Sequence, residues 1–439
     1  MTKRPRDRRE PSSGHGYVKG PTQSASHGPR RERAEPRPGS QGSPAPRRPR
    51  DASALVLPEA LEARLDAGHP WIYRDHLPAV FSAAPGAFVA IECGRFSGFA
   101  LFDADSPIAL RVFSRQRRPD AAWVQARLDE AWQLRRALLP PRTDAFRLLF
   151  GEGDGLPGIV VDVYAGFAVI VSYSPALAQV VAWVAEGLAR RPEIRGVCER
   201  VTRRKDRTSE LRPLSGERPP EVALIEEHGL RYEVDFEAGQ KTGLFLDHRD
   251  NRRYLRELAA GKSVLNLFSY TGAFSVSCAA GGATRVTSVD IAAPAIEAAA
   301  RNIAHNELPA AVHEGVAADV FEFLSAAKSQ GKRWDLVIAD PPSFASSRAE
   351  LFGALRAYKK LHAAALSVLT PGGLYAGASC TAQVSPEAFR QTMAEGAARV
   401  GQRLTVVHEV AHAPDHPYAA GHLEGRYLKF VLCRALPLA

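Results

Sequence analysis

The sequence contains no apolar run approaching the roughly 20 residues needed to cross a bilayer, and its N-terminus lacks the apolar core of a secretory signal. A cytoplasmic protein is expected, without membrane partners. The chain also lacks any C-x-x-C pair. Cys93, Cys198, Cys278, Cys380 and Cys433 stand singly, which predicts neither a zinc site nor a disulfide framework, and no metal is expected. Missing too from "NLFSYTGAFS", after the first strand of the C-terminal pattern, is a G-x-G-x-x-G turn, so a nicotinamide dinucleotide, whose pyrophosphate needs close backbone approach at a helix start, is not indicated. Nor does the body of the chain carry net charge. Residues 1–50 hold 13 Lys or Arg against 4 Asp or Glu, which accounts for the whole formal charge of +9. Any specific partner must therefore be argued from local clusters.

What is present divides into segments. At 439 residues the chain is too long for one ordinary core, and two or three domains are expected. Residues 1–50, rich in Pro, Gly, Ser and Arg, cannot bury enough surface to offset their ordering entropy and read as a disordered basic tail. That tail is either a weak phosphate-seeking arm or a solubilising extension. Over residues 51–119 short β-type runs, "FVAIEC", "GFALFD" and "IALRVFS", separated by turn residues, predict a small β-barrel. The helical stretch "DAAWVQARLDEAWQLRRALL" then opens a mixed α/β module over residues 120–239. Its strands include "IVVDVY" and "FAVIVS", joined at Tyr164-Ala165-Gly166, and Gly151, Gly153 and Gly155 read as turn chemistry with no helix starting behind them.

Residues 240–439 carry the strongest pattern. The buried-type strands "SVLNLF", "RVTSVD", "WDLVIAD" and "GLYAGAS" alternate with helical stretches, which predicts a doubly wound, Rossmann-like parallel sheet. "LTVVHEVAHA" and "YLKFVLC" follow in succession and predict an antiparallel edge. Ligands of such sheets lie outside the carboxyl ends of the strands. There stand "NLFSYTGAFS", with the single Gly272, and Asp290, placed to accept both ribose hydroxyls of an adenosyl group. Asp319 either faces an adenine amine or caps the next helix. The turn "DPPSF", Asp340 to Phe344, holds the Asp340 carboxylate rigidly through Pro341 and Pro342, against a planar nitrogenous base. Read alone, Cys380 in "GASCTAQ" is buried filler, as Cys278 within its helix is. One strand after "DPPSF", it becomes a candidate nucleophile.

"VLNLFSYTGAFSV", "SVDIAAPAIEAAARNIAHNEL", "DLVIADPPSF", "GASCTAQ" and "APDHPYAAGHLEGRYLKFVLCR" resemble, in order and spacing, the class I S-adenosylmethionine-dependent 23S (large-subunit) rRNA cytosine-C5 methyltransferases that carry an N-terminal PUA domain. "GHPWIYRDHL", "GEGDGLPGIVVD", "IEEHGLRYEVD" and "QKTGLFLDHRDNR" extend the resemblance upstream to about Ala54. The resemblance implies S-adenosylmethionine as cofactor and large-subunit rRNA as partner, with the barrel as a PUA-like domain. It implies that Tyr270, Gly272 and Phe274 shape the cofactor loop, that Asp290 and Asp319 hold ribose and adenine, and that Asp340 also borders the cofactor. Gln240, Lys241, Thr242, Gly243, Asp247 and Arg249 fall in the segment that closes over cofactor or RNA. Cys380 falls at the nucleophile's position, with Asp340 as its catalytic partner and Pro341, Pro342 and Phe344 positioning the base. Ser343 and Thr381 depart from residues common in relatives, Lys and Ser.

Cytosine C5 is too poor a nucleophile to take a sulfonium methyl unaided, so covalent activation is required. Cys380 would add to C6 while Asp340 holds the N3/N4 edge, and a thiol of ordinary pKa needs an electropositive site, for which Arg249 or the sulfonium are the candidates. No residue is assigned as the base for elimination. RNA contacts are expected from Arg111 and Arg115 in "RVFSRQRR" and from Arg203, Arg204 and Lys205 in "ERVTRRKDR", on a flipped or looped-out nucleotide. Homodimerisation is left open. Two rivals stand beside this reading: methylation of another atom such as guanine N7, and a non-catalytic RNA-binding assembly factor.

Overall fold

The computed structural model describes residues 54–202, 209–237, 239, 242–345 and 347–438. The expected basic tail lies outside them. The first described sheet has five strands in the order Leu55–Val56, Phe88–Cys93, Phe96–Phe102, Ile108–Ser114, Trp71–Tyr73. Its interior is filled by Leu57, Leu65, Ile72, Ile91, Phe96 and Leu110, together with Ala100 and Phe102, which share a face of "FSGFALF" with Phe96. Helix Ala121–Leu138 follows, started by Asp120, whose carboxylate accepts the Trp123 amide at 2.7 Å.

The central sheet runs Ser209–Gly216, Gly196–Thr202, Phe167–Ser172, Ile159–Tyr164, Ala145–Phe150. Only Phe167–Ser172 and Gly196–Thr202 pair in parallel, because helix Ala178–Ala189 carries the chain across between them. The predicted hairpin at Ala165-Gly166 forms with both residues at positive φ, 48° and 85°. The glycine-rich turn is a one-turn 3-10 helix, Gly151–Asp154. A Cβ on Gly153 would lie 1.8 Å from the Pro417 carbonyl oxygen, so glycine is needed there for the turn to dock on the C-terminal part of the chain.

The last sheet has seven strands, labelled β1 (Ser263–Leu267), β2 (Arg285–Asp290), β3 (His313–Ala317), β4 (Trp334–Ala339), β5 (Leu369–Ser379), β6 (Gln402–Val410) and β7 (Lys429–Pro437). Their order is β3-β2-β1-β4-β5-β7-β6. β1 to β5 pair in parallel, and β7 enters antiparallel between β5 and β6, the antiparallel edge that the sequence predicts. Six helices cover this sheet: α1 (Arg249–Leu258), α2 (Ala273–Ala280), α3 (Ala293–His305), α4 (Val320–Ser329), α5 (Leu351–Leu366) and α6 (Pro386–Ala398). Leu255, Val276 and Ile303 of the first three pack on one face. Leu324, Leu361 and Phe389 of the others pack on the opposite face. A separate hairpin, Val222–Glu227 with Leu230–Asp235, lies against the first face through Tyr232 and Val234. Among the described residues no helix is long and apolar enough to cross a membrane.

Candidate active site

A cavity of about 300 Å³ opens at the carboxyl ends of β1, β2, β4 and β5, and Tyr270, Asp290, Asp319, Asp340 and Cys380 all line it. The loop after β1 bends sharply, with Phe268, Tyr270 and Gly272 at φ 58°, 48° and 75°. Gly272 precedes α2 where a Cβ would sit 2.6 Å from that of Ala299, so both its φ and its closeness to α3 call for glycine. The bend turns the Tyr270 amide toward Asp290 Oδ2 at 2.9 Å, and the Ala292 amide donates to Oδ1 at 3.0 Å. Both carboxylate oxygens are thereby fixed at the cavity rim with lone pairs to spare. Phe245 meets Tyr270 edge-on at 5.5 Å and Phe274 is buried beneath. Asp319 is both things the sequence allowed geometrically: its Oδ1 accepts the Phe321 and Glu322 amides as the cap of α4, and it lines the cavity.

The prolines end β4 as expected, and Pro341 and Pro342 reach the cavity. Phe344 does not. Its ring packs 4.8 Å from Tyr358, beneath the turn. Ser343 and Thr381 join hydroxyl to hydroxyl at 3.1 Å, and the Tyr358 hydroxyl donates to Ser379 at 2.9 Å and lies 2.9 Å from Thr381. The turn after β4 is thus tied to the turn after β5, which holds Asp340 and Cys380 on one wall.

Several expected residues lie elsewhere. Arg249 is fully buried, its guanidinium on Asp415 at 2.7 and 3.1 Å. A charge committed to a buried carboxylate cannot also serve Cys380, and Arg249 is removed from the cofactor set. Thr242 turns into the central sheet, donating to Asp162 at 2.6 Å beside the Tyr164 hydroxyl, so it is likewise removed. Gly243 contributes through its carbonyl, which accepts the Tyr270 hydroxyl at 3.2 Å. Asp247 lines the cavity and accepts the Tyr427 hydroxyl at 2.5 Å. In the barrel, Arg111 is buried on Asp103 at 2.7 Å and cannot reach RNA. Arg115 is exposed, over the Phe96 ring and 2.9 Å from Asp66. Gln240, Lys241, Arg203, Arg204 and Lys205 lie outside the described residues.

Two residues at the site were not singled out from the sequence. Lys429 opens β7 directly opposite Ser379 and is 4% exposed. Its Nζ donates to the carbonyls of Thr381 at 2.6 Å and Tyr427 at 2.8 Å. Burial pulls its ammonium down to about 8, against the opposing attraction of the neighbouring Cys380. Lys429 is the buried cation beside the thiol. His248, unlike Lys429, lines the cavity, its Nε2 3.3 Å from Asp340 Oδ2.

Away from the cavity, His69, His422 and Glu424 bring one potential ligand atom each within 4.8 Å of one another. The Arg64 guanidinium already donates to His69 Nε2 and lies 3.5 Å from Glu424, a cation seated where an ion would go.

A family model described as S-adenosylmethionine-dependent methyltransferase matches residues 177–430, and one described as a PUA-like domain matches residues 55–115. The ribosomal RNA large subunit methyltransferase of Deinococcus radiodurans is 41% identical over 86% of this chain and 96% of its own. Ribosomal RNA large subunit methyltransferase I of Cronobacter sakazakii is 36% identical over 87% of this chain and 99% of its own. A crystal structure described as a methyltransferase complexed with SAH superposes with a TM-score of 0.78 at 27% identity, over 87% of this chain and 99% of its own.

Proposed function

The chain belongs to the family of S-adenosylmethionine-dependent methyltransferases, carries a PUA-like domain and shares most of its length with large-subunit rRNA methyltransferases, and from that premise we propose that it methylates C5 of a cytosine in large-subunit rRNA through a covalent adduct with Cys380. The donor set fits the cofactor. Asp290, Asp319 and Asp340 would repel a phosphate but suit ribose hydroxyls, an adenine amine and a cationic sulfur, and the aromatic rings of Phe245, Tyr270 and Phe274 give apolar walls. S-adenosylmethionine, when bound, supplies an electrophilic methyl group.

The chain's own residues do the rest. Lys429, beside the thiol, favours the Cys380 thiolate by charge. The thiolate forms a bond to C6, and the ring electrons this displaces make C5 nucleophilic. Asp340 accepts hydrogen bonds at the N3/N4 edge and so favours the protonated ring. After C5 has taken the methyl, loss of its proton to a base returns the C6–S electron pair to Cys380 and restores the ring. The buried side chains of Arg111 and Arg249 take no part. Arg115 and the described face of the barrel are assigned to backbone contact with RNA.

The observation that carries the reading is that Asp340 and Cys380 line one cavity while buried Lys429, outside the lining, holds the carbonyl of Thr381, the residue after Cys380. Methyl transfer from labelled cofactor to undermethylated rRNA, followed by nucleoside analysis, tests it. 5-Methylcytidine is expected, with no product from Cys380→Ala. A 7-methylguanosine product or a fully active Cys380→Ala would sink the mechanism. Absence of any transfer, with no cofactor binding in calorimetry, would favour a non-catalytic assembly factor.

A further inference from the structure

Helix α5 joins β4 to β5, which pair in parallel, so it runs back against them and starts at the carboxyl ends of the strands, where the cavity opens. Its inner side is set by Ala354, Tyr358, Leu361 and Ala365, all buried, at the spacing of one helical face. The Tyr358 hydroxyl contacts Ser379 and Thr381, on either side of Cys380. This turn of α5 is therefore level with the thiol. Phe352 stands six residues nearer the helix start, about 9 Å along the axis at roughly 1.5 Å per residue. The first turn of α5 thus projects past the catalytic edge, on the side from which substrate must approach.

Phe352 is 71% exposed, and a Cβ on Gly353 beside it would meet nothing within 4 Å. A lone exposed phenyl is ordinary on a soluble protein, but this one begins a line of cations. Arg356 and Lys360 follow at four-residue steps and both are exposed, about 6 Å apart along the axis on one side of the helix. The Arg356 guanidinium lies over the Phe352 ring at 5.1 Å, and the Lys360 ammonium over the Phe321 ring at 4.6 Å. Phe321 follows Asp319 and Val320, which line the cavity. Among the described residues neither cation forms an ion pair, whereas Lys359 holds Glu395 at 2.5 Å. Helix α5 contains no Asp or Glu. The carboxylate just before it, Glu350, accepts the Ser347 amide at 3.2 Å.

We propose that Phe352, Arg356 and Lys360 form a docking track for single-stranded rRNA beside the target nucleotide, with a neighbouring base stacked on Phe352 and the two cations on its phosphates. The proposal rests on the rRNA substrate of the function above, not on which atom is methylated. A base drawn out of its stack for methylation leaves its neighbour's face uncovered, and a ring that projects past the catalytic edge can cover it. A π face accepts any base, and a cation beside it adds to the contact. A helix side with cations and no carboxylate suits a polyanion. A second copy of the chain meeting itself here would set the same cations against one another.

Anisotropy of a fluorescein-labelled, unstructured pyrimidine RNA, titrated with the full chain at several KCl concentrations, tests the track. Phe352→Ala should weaken binding about 5- to 150-fold, the span of one lost base stack, with Phe352→Tyr within about 2-fold of wild type. Phe352→Leu, which keeps apolar bulk without a π face, should follow Ala, and a Leu variant that binds as wild type does would contradict stacking. Arg356→Gln combined with Lys360→Gln should lower the slope of log affinity against log salt by about 1.4, from about 0.7 for each phosphate contact on a single strand. With undermethylated rRNA the loss should fall in KM and not in kcat, and S-adenosylhomocysteine affinity by calorimetry should hold. Wild-type affinity and salt slope in the Ala and double Gln variants would overturn the proposal. So would variants that change the sedimentation of the free chain while RNA binding holds, since the face would then join copies of the chain. If RNA binding falls as expected but the product is 7-methylguanosine, the track stands and the cytosine-C5 reading fails. If 5-methylcytidine forms with an unaltered KM in every variant, that reading stands and the track fails.

Discussion

Cys380 is partly exposed on the cavity wall, whereas the other four thiols are buried. Burial pushes Cys278 and Cys433 up to about 12, so neither supplies thiolate near neutral pH. Native protein treated briefly with iodoacetamide is expected to be alkylated at Cys380 ahead of the other four, as read by peptide mass spectrometry. Equal labelling at Cys278 or Cys433 would contradict their burial. The cation beside Cys380 makes a second expectation. Because burial depresses the Lys429 pKa to about 8, its ammonium is present below that pH and lost above it. An opposite charge this close shifts a pKa by 1–3 units, so Lys429→Met should slow adduct formation by roughly 10- to 10³-fold at pH 7. The ratio of wild-type to variant rate should then shrink between pH 7 and pH 9, and a constant ratio would mean that Lys429 acts by packing alone. In the sequence Lys429 is merely the charged residue of "YLKFVLC". Its place at the site comes from antiparallel pairing with Ser379, a long-range register that no local spacing encodes. His248 was hidden in the same way, while Asp290, Asp340 and Cys380 were legible because each follows a strand end that the sequence shows directly.

Among the elements, β1, β2, β4 and β5 were legible because strands covered on both faces read as continuous apolar runs. Helix α1 was not. Six of its ten residues are charged, and its buried side is itself polar: Arg249 on Asp415, Asn251 on His248, and Arg252 on Glu227 at 2.6 and 2.7 Å. A hydrophobic period cannot report an inward face built from ion pairs. Edge strand β3, "HEGVA", shows no apolar run for the opposite reason, since it is short and largely exposed. The element that most directly shapes the cofactor side is α3. Its Asn302 is fully buried, with Oδ1 accepting the Glu233 amide at 2.8 Å and Nδ2 donating to the Thr271 carbonyl at 2.9 Å. One side chain thereby joins the Leu230–Asp235 strand to the loop that carries Tyr270 and Gly272. Asn302→Ala leaves both backbone groups without that partner and should cost about 1–3 kcal/mol. It should also weaken S-adenosylhomocysteine binding in titration calorimetry, because Tyr270 loses the neighbour that fixes its loop. Unchanged affinity in a destabilised variant would confine Asn302 to a structural role.

At the scale of the whole molecule, the neutral body is held by buried charge that its composition conceals. Asp415, between β6 and β7, accepts Arg249 of α1 on both oxygens and the Arg147 amide of the central sheet at 3.0 Å, while its carbonyl takes Arg135 of helix Ala121–Leu138 at 2.8 Å. Three separate parts of the chain meet on one residue. Asp415→Asn would strip the Arg249 charge of its buried partner and leave it Asp250 at 3.6 Å, with an expected loss of about 3–5 kcal/mol in urea unfolding. The same interior makes the fold sensitive to acid. Burial resists the Asp415 charge, but the His416 ring and the Arg249 guanidinium more than reverse this and hold its carboxyl well below the usual range. Burial also lowers His362 to about 3, with Nδ1 2.6 Å from the Tyr375 hydroxyl, and lowers His412 to about 4. All three groups have depressed folded-state values, so each contributes stability in full above its unfolded value and loses it as pH falls. For the two histidines the loss begins near pH 6.5 and runs toward 4 and 3. For Asp415 it begins only below 3.8. Melting should therefore weaken first in the histidine window, each ring contributing about 1.4 kcal/mol per pH unit while it is protonated only in the unfolded chain. His362→Phe keeps an aromatic ring beside Tyr358 and Phe389 and titrates nothing. It should flatten the melting profile between pH 6.5 and 4.5, and a wild-type profile already flat across that interval would contradict the burial of both rings in their neutral form.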